Sequence, residues 1–398
     1  MSLKITDNVN YVGQIDWTLR FFHGEQLSTK NGTTYNSYTV KGTKIALIDT
    51  VCQSFADEFI CDLEQTININ NIDYMVVLHA EPDHCYTLGH IMKLKPDLPI
   101  YCTANAVKSI KGYFHNENWN FNVVKTGDKL DLGNGSELTF IEIPMLHWPD
   151  QMMAYYEKDG ILFSSDPFGE HYCSEFMFSN KVDLSELEYE AIKYYANIVA
   201  PYSNIVKKKI AEILALNLKI KMIAPAHGII WTDPEYIINK YLQWCNSYKE
   251  NLITIIFDTM YKSTHKIAKA IKEGIVAQDK EVKIKIFNSA TTDVSDIVTE
   301  VFRSKAILVG SPTYNSGILY SVAGLLDEIR GSRLTGKKAA AFGSFGWANM
   351  NIKIISDTLK IDGFELFEPS GIAINWNPNK DNLKDCHQFG KDFAEWCK

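Results

Sequence analysis

The stretch from Leu252 to the C-terminus alternates regularly between short apolar runs and amphipathic segments. Five apolar runs predict strands, at residues 252–257, 282–288, 305–310, 337–342 and 371–375. The segments between them predict crossover helices, one of which ends near Gly274 and another of which spans residues 294–304. This alternation is typical of a doubly wound parallel sheet, because parallel neighbours need a long crossover connection. The ligand site of such a sheet lies at the carboxyl ends of its strands.

The sequence before residue 246 has a less regular pattern of short apolar runs, turns and a few helical segments. Predicted strands cover residues 44–50, 74–79, 99–103 and 138–144, and a hairpin joins 152–157 to 161–165 through Asp159-Gly160, the strongest short hairpin signal. Such apolar strands predict sheets covered by helices. Because 398 residues exceed the usual size of a single core, we expect two domains, 1–248 and 249–398, after a predicted helix at 234–248.

Charge and composition narrow the classes of function. The formal net charge of -8 argues against nucleic acid as a partner, because that binding depends on Lys and Arg neutralising phosphates. The N-terminal residues lack the apolar core of a signal peptide, and no apolar run reaches the roughly 20 residues of a membrane-spanning helix. We therefore expect no membrane association and a cytoplasmic location. The eight cysteines include no Cys-x-x-Cys pair, which argues against a disulfide framework, a zinc ribbon or a rubredoxin-type iron site.

Four potential metal ligands follow the apolar run at residues 74–78, namely His79, Glu81, Asp83 and His84. Unpaired charges are rarely placed at the end of a buried strand, because burying a charge is costly. Binding of a metal ion would offset the cost of burying these charges. The alternative interpretation is a solvated turn that happens to be rich in polar residues.

Three more polar residues, His147, Asp166 and His227, each come after an apolar run that predicts a strand. Any one of them alone is equally compatible with a hydrogen-bonded core residue or a polar loop. Together with the first four they form a set that is much more specific than its members. The set indicates a metal site at the ends of several strands.

A third group of residues forms a loop between the first strand and the first helix of the predicted parallel sheet: Thr259, Met260, Tyr261, Lys262, Ser263 and Thr264. The loop combines hydroxyl groups with backbone amides at a helix N-terminus, which is a favourable environment for a phosphate. It is not a Walker A motif, because Ile256 and Tyr261 stand where the glycines should be. A hydroxyl-rich loop can hold a monophosphate ester without a metal ion, which favours flavin mononucleotide (FMN) over ATP.

Two later loops fall at the same end of the predicted sheet. They contain Pro312, Thr313, Tyr314, Asn315 and Gly317 in one case, and Ser344, Phe345, Gly346 and Trp347 in the other. Both loops combine small residues, which allow close backbone approach, with an aromatic residue that can stack on a ring. Three such loops at successive strand ends indicate a flavin site.

The metal-ligand pattern resembles the metallo-β-lactamase-like fold, an αββα sandwich. Hydrolases of that fold usually have a second histidine where this chain has Glu81, and a carboxylate there shifts the preference from zinc toward iron or manganese. The loop that begins at Thr259 resembles the phosphate loop of flavodoxins. With both features, essentially the whole chain resembles the two-domain flavodiiron proteins, also called A-type flavoproteins.

The resemblance implies two iron ions and assigns their ligands. The first iron would be bound by His79, Glu81 and His147, the second by Asp83, His84 and His227, and Asp166 would bridge them. His84 is either bound or turned away in that family. This chain departs from the family pattern at Cys85-Tyr86, where Ser-Gly is usual, and at Lys262, which replaces a glycine.

Two further residues look like family features near the metals. Tyr195 is a candidate proton donor, although an amphipathic aromatic at a domain rim explains it equally well. His23 is a candidate residue next to the metal ligands, although a lone loop histidine is just as often structural.

The resemblance also implies the reaction. Two irons and one FMN can together hold the four electrons that reduce dioxygen to water, whereas joining two nitric oxide molecules into nitrous oxide needs two. We lean toward dioxygen as the preferred gas. Because the sequence has no Cys-ligated iron, we expect a separate electron donor, either a rubredoxin-like protein or a flavin/NADH reductase. The resemblance implies a head-to-tail homodimer or a dimer of dimers.

Two alternative functions remain open from the sequence. One is a metal-dependent hydrolase with a regulatory flavin domain, against which Glu81 counts. The other is a flavodoxin-like electron carrier with an inert structural metal, although structural sites are usually closed by cysteine and histidine rather than by carboxylates.

Overall fold

The computed structural model describes residues 2–398, and Met1, with which the first predicted domain begins, lies outside them. The chain forms two compact units. The first comprises the residues up to Phe22, Thr29–Tyr195 and Tyr202–Asn246, and the second comprises His23–Ser28, Ala196–Pro201 and Ser247–Lys398. Because the second unit also takes in two short segments from the N-terminal part, a single boundary between residues 248 and 249 stays a prediction.

The strands of the N-terminal part are short. In chain order they are β1 (Leu3–Lys4), β2 (Val9–Tyr11), β3 (Gln14–Asp16), β4 (Phe21–Phe22), β5 (Leu27–Ser28), β6 (Thr33–Tyr35), β7 (Tyr38–Lys41), β8 (Ile45–Ile48), β9 (Tyr74–Val76), β10 (Ile100–Cys102), β11 (Phe121–Val123), β12 (Lys129–Gly133), β13 (Ser136–Glu142), β14 (Met152–Tyr156), β15 (Ile161–Ser165) and β16 (Met222–Pro225). Within residues 2–398, one sheet runs β1-β2-β7-β8-β9-β10-β11 and a second runs β12-β13-β14-β15-β16.

The helices of this part are α1 (Ala56–Ile67), α2 (Pro82–Cys85), α3 (Leu88–Leu94), α4 (Ala104–Phe114), α5 (Leu184–Tyr194), α6 (Ser203–Ala215) and α7 (Pro234–Trp244). Single turns of 3-10 helix lie at Gln53–Phe55, Ile69–Asn71, Ser179–Lys181 and Ala200–Tyr202, and a π-helical turn lies at Tyr195–Val199. α7 starts at the predicted Pro234 but ends before residue 248.

The two sheets of the first unit pack face to face. Ala46 and Ile48 of β8 belong to a buried cluster with Phe140 and Phe163 of the second sheet. Leu47, between them, belongs to a different cluster with Phe59 of α1. This alternation follows from the two-residue period of a strand, which sends successive side chains to opposite faces. The sheet is therefore buried on both faces, as the near-continuous apolar runs predict.

Parallel neighbours in each sheet bring loops to a common edge. β8 pairs in parallel with β9, and β15 pairs in parallel with β16. His79 lies shortly after β9, Asp166 follows β15, and His227 lies shortly after β16. The polar residues that the sequence analysis singled out therefore come from loops that follow strands of both sheets.

The second unit contains a parallel sheet. Its strands are β17 (Glu250–Phe257), β18 (Lys283–Asn288), β19 (Ser304–Gly310), β20 (Lys338–Phe345) and β21 (Glu365–Asn375). Its helices are α8 (Ser263–Gln278), α9 (Val294–Arg303), α10 (Tyr320–Gly331), α11 (Asn351–Ile361) and α12 (Lys380–Trp396). The order β18-β17-β19-β20-β21 is that of a doubly wound sheet. The ligand site of such a sheet lies at the carboxyl ends of β17 and β19, where the strand order reverses. The predicted fold of this part is confirmed.

The last strand is longer than predicted, since β21 begins at Glu365 rather than at residue 371. Pro369 interrupts the apolar pattern, and a proline within a run argues against a central strand. β21 stands at the edge of the sheet, where proline is tolerated, and its pairing with β20 shifts register between Ala339 and Ala341. Over residues 2–398, no helix combines the length and the apolar character that crossing a membrane requires.

Lys337 is a buried lysine of the second unit, and its burial can be tested through the pH dependence of stability. Its buried ammonium donates to the carbonyl oxygens of Tyr248 at 3.1 Å, Phe302 at 2.7 Å and Ser304 at 2.8 Å. Burial, with a smaller effect of Lys249, lowers the pKa of Lys337 from 10.5 to about 7. Between these values the unfolded chain holds a proton that the folded chain lacks, so this residue makes stability rise with pH.

We therefore expect the unfolding free energy of the wild type, minus that of Lys337→Met, to increase as the pH rises from 7 toward 10. The increase should be up to about 1.4 kcal/mol per pH unit. Thermal or urea unfolding of both proteins at several pH values measures this difference. The slope is the test, because leaving three carbonyl groups without a donor adds a cost that does not depend on pH. Parallel stability profiles for the two proteins would contradict the assignment.

Candidate metal and flavin sites

The first unit brings together all seven residues that the sequence predicts as metal ligands: His79, Glu81, Asp83, His84, His147, Asp166 and His227. Ligand atoms of His79, His147 and Asp166 lie within 4.8 Å of one another, and so do those of Asp83, His84 and His227. The residues therefore form two adjoining groups.

Asp166 faces both groups, one with each carboxylate oxygen. Its Oδ2 atom lies 3.6 Å from His79 Nε2 and 3.4 Å from His147 Nε2. Its Oδ1 atom lies 3.2 Å from His84 Nε2 and 3.6 Å from His227 Nε2. A carboxylate in this position can connect two metal ions.

The other two carboxylates each belong to one group. Glu81 Oε2 lies 3.1 Å from His79 Nε2 and 3.5 Å from His147 Nε2. Asp83 Oδ2 lies 3.0 Å from His227 Nε2 and 3.4 Å from His84 Nε2. Each group thus offers two imidazoles and a carboxylate of its own, in addition to an oxygen of Asp166.

Two of the imidazole rings are held by hydrogen bonds on the side away from the cluster, and a third has a carboxylate nearby. His79 Nδ1 donates to Asp150 Oδ2 at 3.0 Å, and His227 Nδ1 donates to the carbonyl oxygen of Thr34 at 2.6 Å. His84 Nδ1 lies 3.9 Å from Asp49 Oδ2. Such partners fix the tautomer and the orientation of a metal-binding histidine. The Nε2 atoms are therefore directed toward the cluster.

The electrostatics of the cluster favour cations. Burial alone would raise the pKa of Asp166, but His84, His147 and His79 around it hold that pKa well below its usual range. Burial opposes protonation of His79, yet its hydrogen bonds with Asp150 and Glu81 raise its pKa to about 9. Asp166 is thus held as an anion.

An unsatisfied atom tests whether metal ions fit this site. Asp83 Oδ1 is buried and has no hydrogen-bond partner among residues 2–398. A buried carboxylate oxygen without a partner is costly, and coordination to a metal removes that cost. The donor set of imidazole nitrogens and carboxylate oxygens suits iron. The residues present therefore fit a pair of metal ions.

The two tyrosines at the end of α5 differ in their contacts. The hydroxyl of Tyr194 donates to Asp166 Oδ1 at 2.8 Å. The hydroxyl of Tyr195 pairs with Ser203 Oγ at 2.9 Å, and its ring packs against Tyr241 and Trp244. Tyr194 thus reaches a carboxylate of the cluster, and the proton-donor role expected of Tyr195 stays a prediction.

His23 and Cys85 occupy different surroundings. His23 is exposed, has a φ of 54°, and belongs to the second unit, so its proposed place around the ligands also stays a prediction. Cys85 is buried next to His84, and its Sγ atom donates to the carbonyl oxygen of Ala80 at 3.2 Å. The departure from the family's serine therefore leaves a side chain that still hydrogen-bonds the backbone of the ligand loop.

The predicted phosphate loop lies at the start of α8 in the second unit. Lys262 precedes this helix with a φ of 66°, and its side chain does not cap the helix. Thr264 is fully buried, with its hydroxyl 3.4 Å from Ser344 Oγ of the third loop. Amides at an uncapped helix N-terminus beside hydroxyl groups form a suitable environment for a phosphate.

The second and third loops are joined by hydrogen bonds. Tyr314 and Gly317 exchange two backbone hydrogen bonds, of 3.0 Å and 2.7 Å, which make a tight turn. Thr313 Oγ1 accepts from the backbone N–H of Met350 at 3.2 Å, and its own N–H donates to the carbonyl oxygen of Ser344 at 2.9 Å. The loops predicted to hold FMN are therefore neighbours at the carboxyl ends of β17, β19 and β20.

Exposed aromatic side chains accompany these loops. Trp347 is 92% exposed and Trp376, which follows β21, is 60% exposed. Their ring centroids lie 6.2 Å apart. Because large aromatic side chains favour burial, these rings offer a surface that an aromatic ligand can cover. With the uncapped helix N-terminus, the second unit therefore fits FMN.

Sequence reasoning did not assign Asp150, Tyr194 or Trp376. Asp150 stands three residues after His147, and only the fold shows that it is fully buried. Trp376 directly follows the last strand, as the other flavin-loop residues follow theirs. Position at a strand end was the available signal for Trp376, whereas nothing in the sequence separates Tyr194 from Tyr195.

Comparison with known proteins supports both halves of the chain. Residues 33–228 match the family described as ODP family beta lactamase, and residues 255–390 match the flavodoxin family. The anaerobic nitric oxide reductase flavorubredoxin of Klebsiella pneumoniae is 47% identical over 398 residues, which are 100% of this chain and 82% of that protein.

Two solved structures are similar over the whole chain. The rubredoxin oxygen:oxidoreductase of Desulfovibrio gigas has a TM-score of 0.95 at 32% identity and covers 100% of this chain and 98% of its own. The flavodiiron protein of Giardia intestinalis has a TM-score of 0.94 at 29% identity and covers 100% and 97%. The predicted fold class, a metallo-β-lactamase-like domain followed by a flavodoxin-like domain, is confirmed. The chain belongs to the flavodiiron protein family.

Proposed function

We propose that this chain is an oxidoreductase that uses electrons held by FMN to reduce dioxygen to water, nitric oxide to nitrous oxide, or both, at a site with two irons. The observation that carries the proposal is Asp166, whose two oxygens face two separate groups of ligands. A relative at 47% identity is named as a nitric oxide reductase, and a similar structure as an oxygen oxidoreductase. Both gases therefore belong in the proposal.

The proposed ligands follow the two groups. His79, Glu81 and His147 would hold one iron, Asp83, His84 and His227 would hold the other, and Asp166 would bridge them. Three carboxylates among seven ligands favour iron over the zinc of a hydrolase, because oxygen donors suit harder metals. They also argue against an inert structural metal.

The residues around the ligands have separable roles. Asp150 accepts from both His79 Nδ1 and the backbone N–H of Ala80, at 3.0 Å and 2.8 Å, and so fixes the first ligand and its loop. Burial, with the neighbouring charge of Asp166, raises the pKa of Tyr194 well above its usual value. The Tyr194 hydroxyl therefore keeps its proton at neutral pH and holds it at Asp166 Oδ1.

When bound, the two irons would supply the place where the gas is held and reduced, and FMN would supply electrons in pairs. Ser263 and Thr264 would hold the FMN phosphate with the first amides of α8. Tyr314 and Trp347 would contact its ring system.

A cavity in the first unit borders the proposed metal site at Asp83. It has a volume of about 1350 Å³, and Tyr35, Asp83 and Tyr86 contribute to its wall. The side chain of Asp83 is 13% exposed, whereas those of His84 and His227 next to it are 2% exposed. We propose that Asp83 marks the point at which the gas reaches the second group.

Iron content tests the role of Asp166. We expect the anaerobically purified wild type to hold about two irons per chain and Asp166→Ala to lose most of its iron and of its gas reduction, because both groups share this residue. Metal analysis and turnover measure the two effects. A residue outside the ligand set should cost only about 10- to 100-fold.

Glu170→Gln is a matched control, since Glu170 is another buried carboxyl group of the same unit. Its Oε1 atom accepts from the backbone N–H of Ile229 at 2.6 Å, and burial raises its pKa well above the usual value. This variant should keep its iron. If Asp166→Ala also keeps a wild-type iron content and rate, the bridging assignment is wrong.

Turnover with each gas tests the proposed reaction. Protein that is reduced in the absence of air should consume dioxygen, convert nitric oxide to nitrous oxide, or do both, and should lose that activity without FMN. An oxygen electrode and gas chromatography measure the two reactions. A protein loaded with iron and FMN that turns over neither gas would contradict the proposal, and a zinc-only protein with hydrolytic activity would favour the hydrolase.

The assembly and the partners are also proposals. We propose a head-to-tail homodimer, alone or within a dimer of dimers, in which FMN of one subunit serves the metal site of the other. We propose that a separate rubredoxin-like protein or a flavin/NADH reductase delivers the electrons. The cytoplasmic location expected from the sequence stays a prediction.

Mixed dimers test this arrangement. One variant lacks the metals through Asp166→Ala, and the other lacks FMN through substitutions at Ser263 and Thr264. After verified subunit exchange, activity should reappear, because an intact metal site of one chain then faces an intact flavin of the other. A mixture that remains inactive would show that electrons pass within one chain.

A further inference from the structure

A short turn after β21, formed by Asn375, Trp376 and Asn377, lies at the flavin end of the sheet. Trp376 has a φ of 60°, which is an uncommon conformation for a bulky residue. Its backbone N–H donates to the carbonyl oxygen of Phe345 at 2.7 Å. The turn is therefore held in a fixed position against the third flavin loop.

The ring of Trp376 contacts that loop at Gly346. A Cβ atom added at Gly346 would lie 2.8 Å and 2.9 Å from two atoms of the Trp376 ring. Such distances are shorter than real Cβ contacts, so only glycine fits while the ring keeps its place. Asn375 Nδ2 donates to the carbonyl oxygen of Gly346 at 2.5 Å. The side chains of this turn thus set the path of the backbone just before Trp347.

The same turn is also tied to the phosphate loop. Lys266 Nζ donates to Asn377 Oδ1 at 2.8 Å. Lys266 lies in the first turn of α8, the helix whose N-terminal amides follow the phosphate loop. The turn after β21 therefore connects the element that would hold the phosphate with the element that would contact the ring.

We propose that this turn is a fourth segment of the flavin site and that Trp376 is its positioning residue. The proposal rests on the proposed binding of FMN. Through its contact with Gly346, Trp376 would fix the path of the third flavin loop before Trp347, next to a turn that is tied to α8. The 60% exposure of Trp376 leaves its ring accessible beside Trp347, as a residue at the edge of a ligand site requires.

Binding of FMN to the full-length apoprotein tests the proposal without measuring activity. Titration is followed by the loss of flavin fluorescence. Trp376→Ala should raise the dissociation constant at least about 10-fold, and Trp376→Phe should restore most of the affinity because a ring remains against Gly346. Trp17→Ala is the matched control, since Trp17 is a half-exposed tryptophan of the first unit and should have no effect. Circular dichroism and iron content check that each variant is folded.

A double substitution makes the test specific for the contact. Gly346→Ala should weaken FMN binding in the wild type, because the new methyl group displaces the Trp376 ring, and should cost much less in the Trp376→Ala background. Double-mutant cycles measure such coupling between residues in contact. Additive effects of the two substitutions, or a Trp376→Ala variant that binds FMN like the wild type, would overturn the positioning role. A wild type that binds no FMN would overturn the proposed function as well, which separates the two failures.

Discussion

The carboxylate of Asp166 is the interaction on which the metal site depends. It is buried, and each of its oxygens lies within 3.6 Å of two imidazole nitrogens. An isolated buried carboxylate would be strongly unfavourable, and its pKa would rise until it became neutral. Here the surrounding histidines reverse that tendency. The same arrangement that stabilises the charge leaves two sets of donors on opposite sides of one carboxylate.

This arrangement requires strands from both sheets to end near one another. Asp166 follows β15 directly, and His79 follows β9 of the other sheet. The buried cluster between the sheets, which includes Phe140 and Phe163, holds these strands together. Hydrogen bonds to Asp150 and to the backbone carbonyl oxygen of Thr34 then orient individual rings. Packing therefore sets the position of the site, and polar contacts set its geometry.

Much of this organisation can be predicted from the sequence, because it depends on local patterns. The strand–helix alternation after residue 250 identifies the parallel sheet, and the position of polar residues at strand ends picks out all seven side chains that the fold brings together. Tyr194 and Tyr195 could not be separated, since adjacent residues on a helix point about 100° apart and the phase depends on packing. Tyr194 ends α5 and Tyr195 begins a π-helical turn, an irregularity that no periodicity reveals. The prediction for β21 is too short because Pro369 interrupts the apolar pattern of an edge strand. The contact of Trp376 with Gly346 depends on a turn conformation that the sequence pattern does not reveal.

If Asp166 bridges two irons, both metals occupy a single site. X-ray absorption at the iron edge of the anaerobically purified protein measures this most directly, since it reports both the ligand atoms and any neighbouring metal. We expect nitrogen and oxygen ligands and an iron–iron distance of roughly 3.5–4 Å, which is typical of two-metal sites. Iron without a neighbouring iron, or a site that contains only zinc, would contradict it.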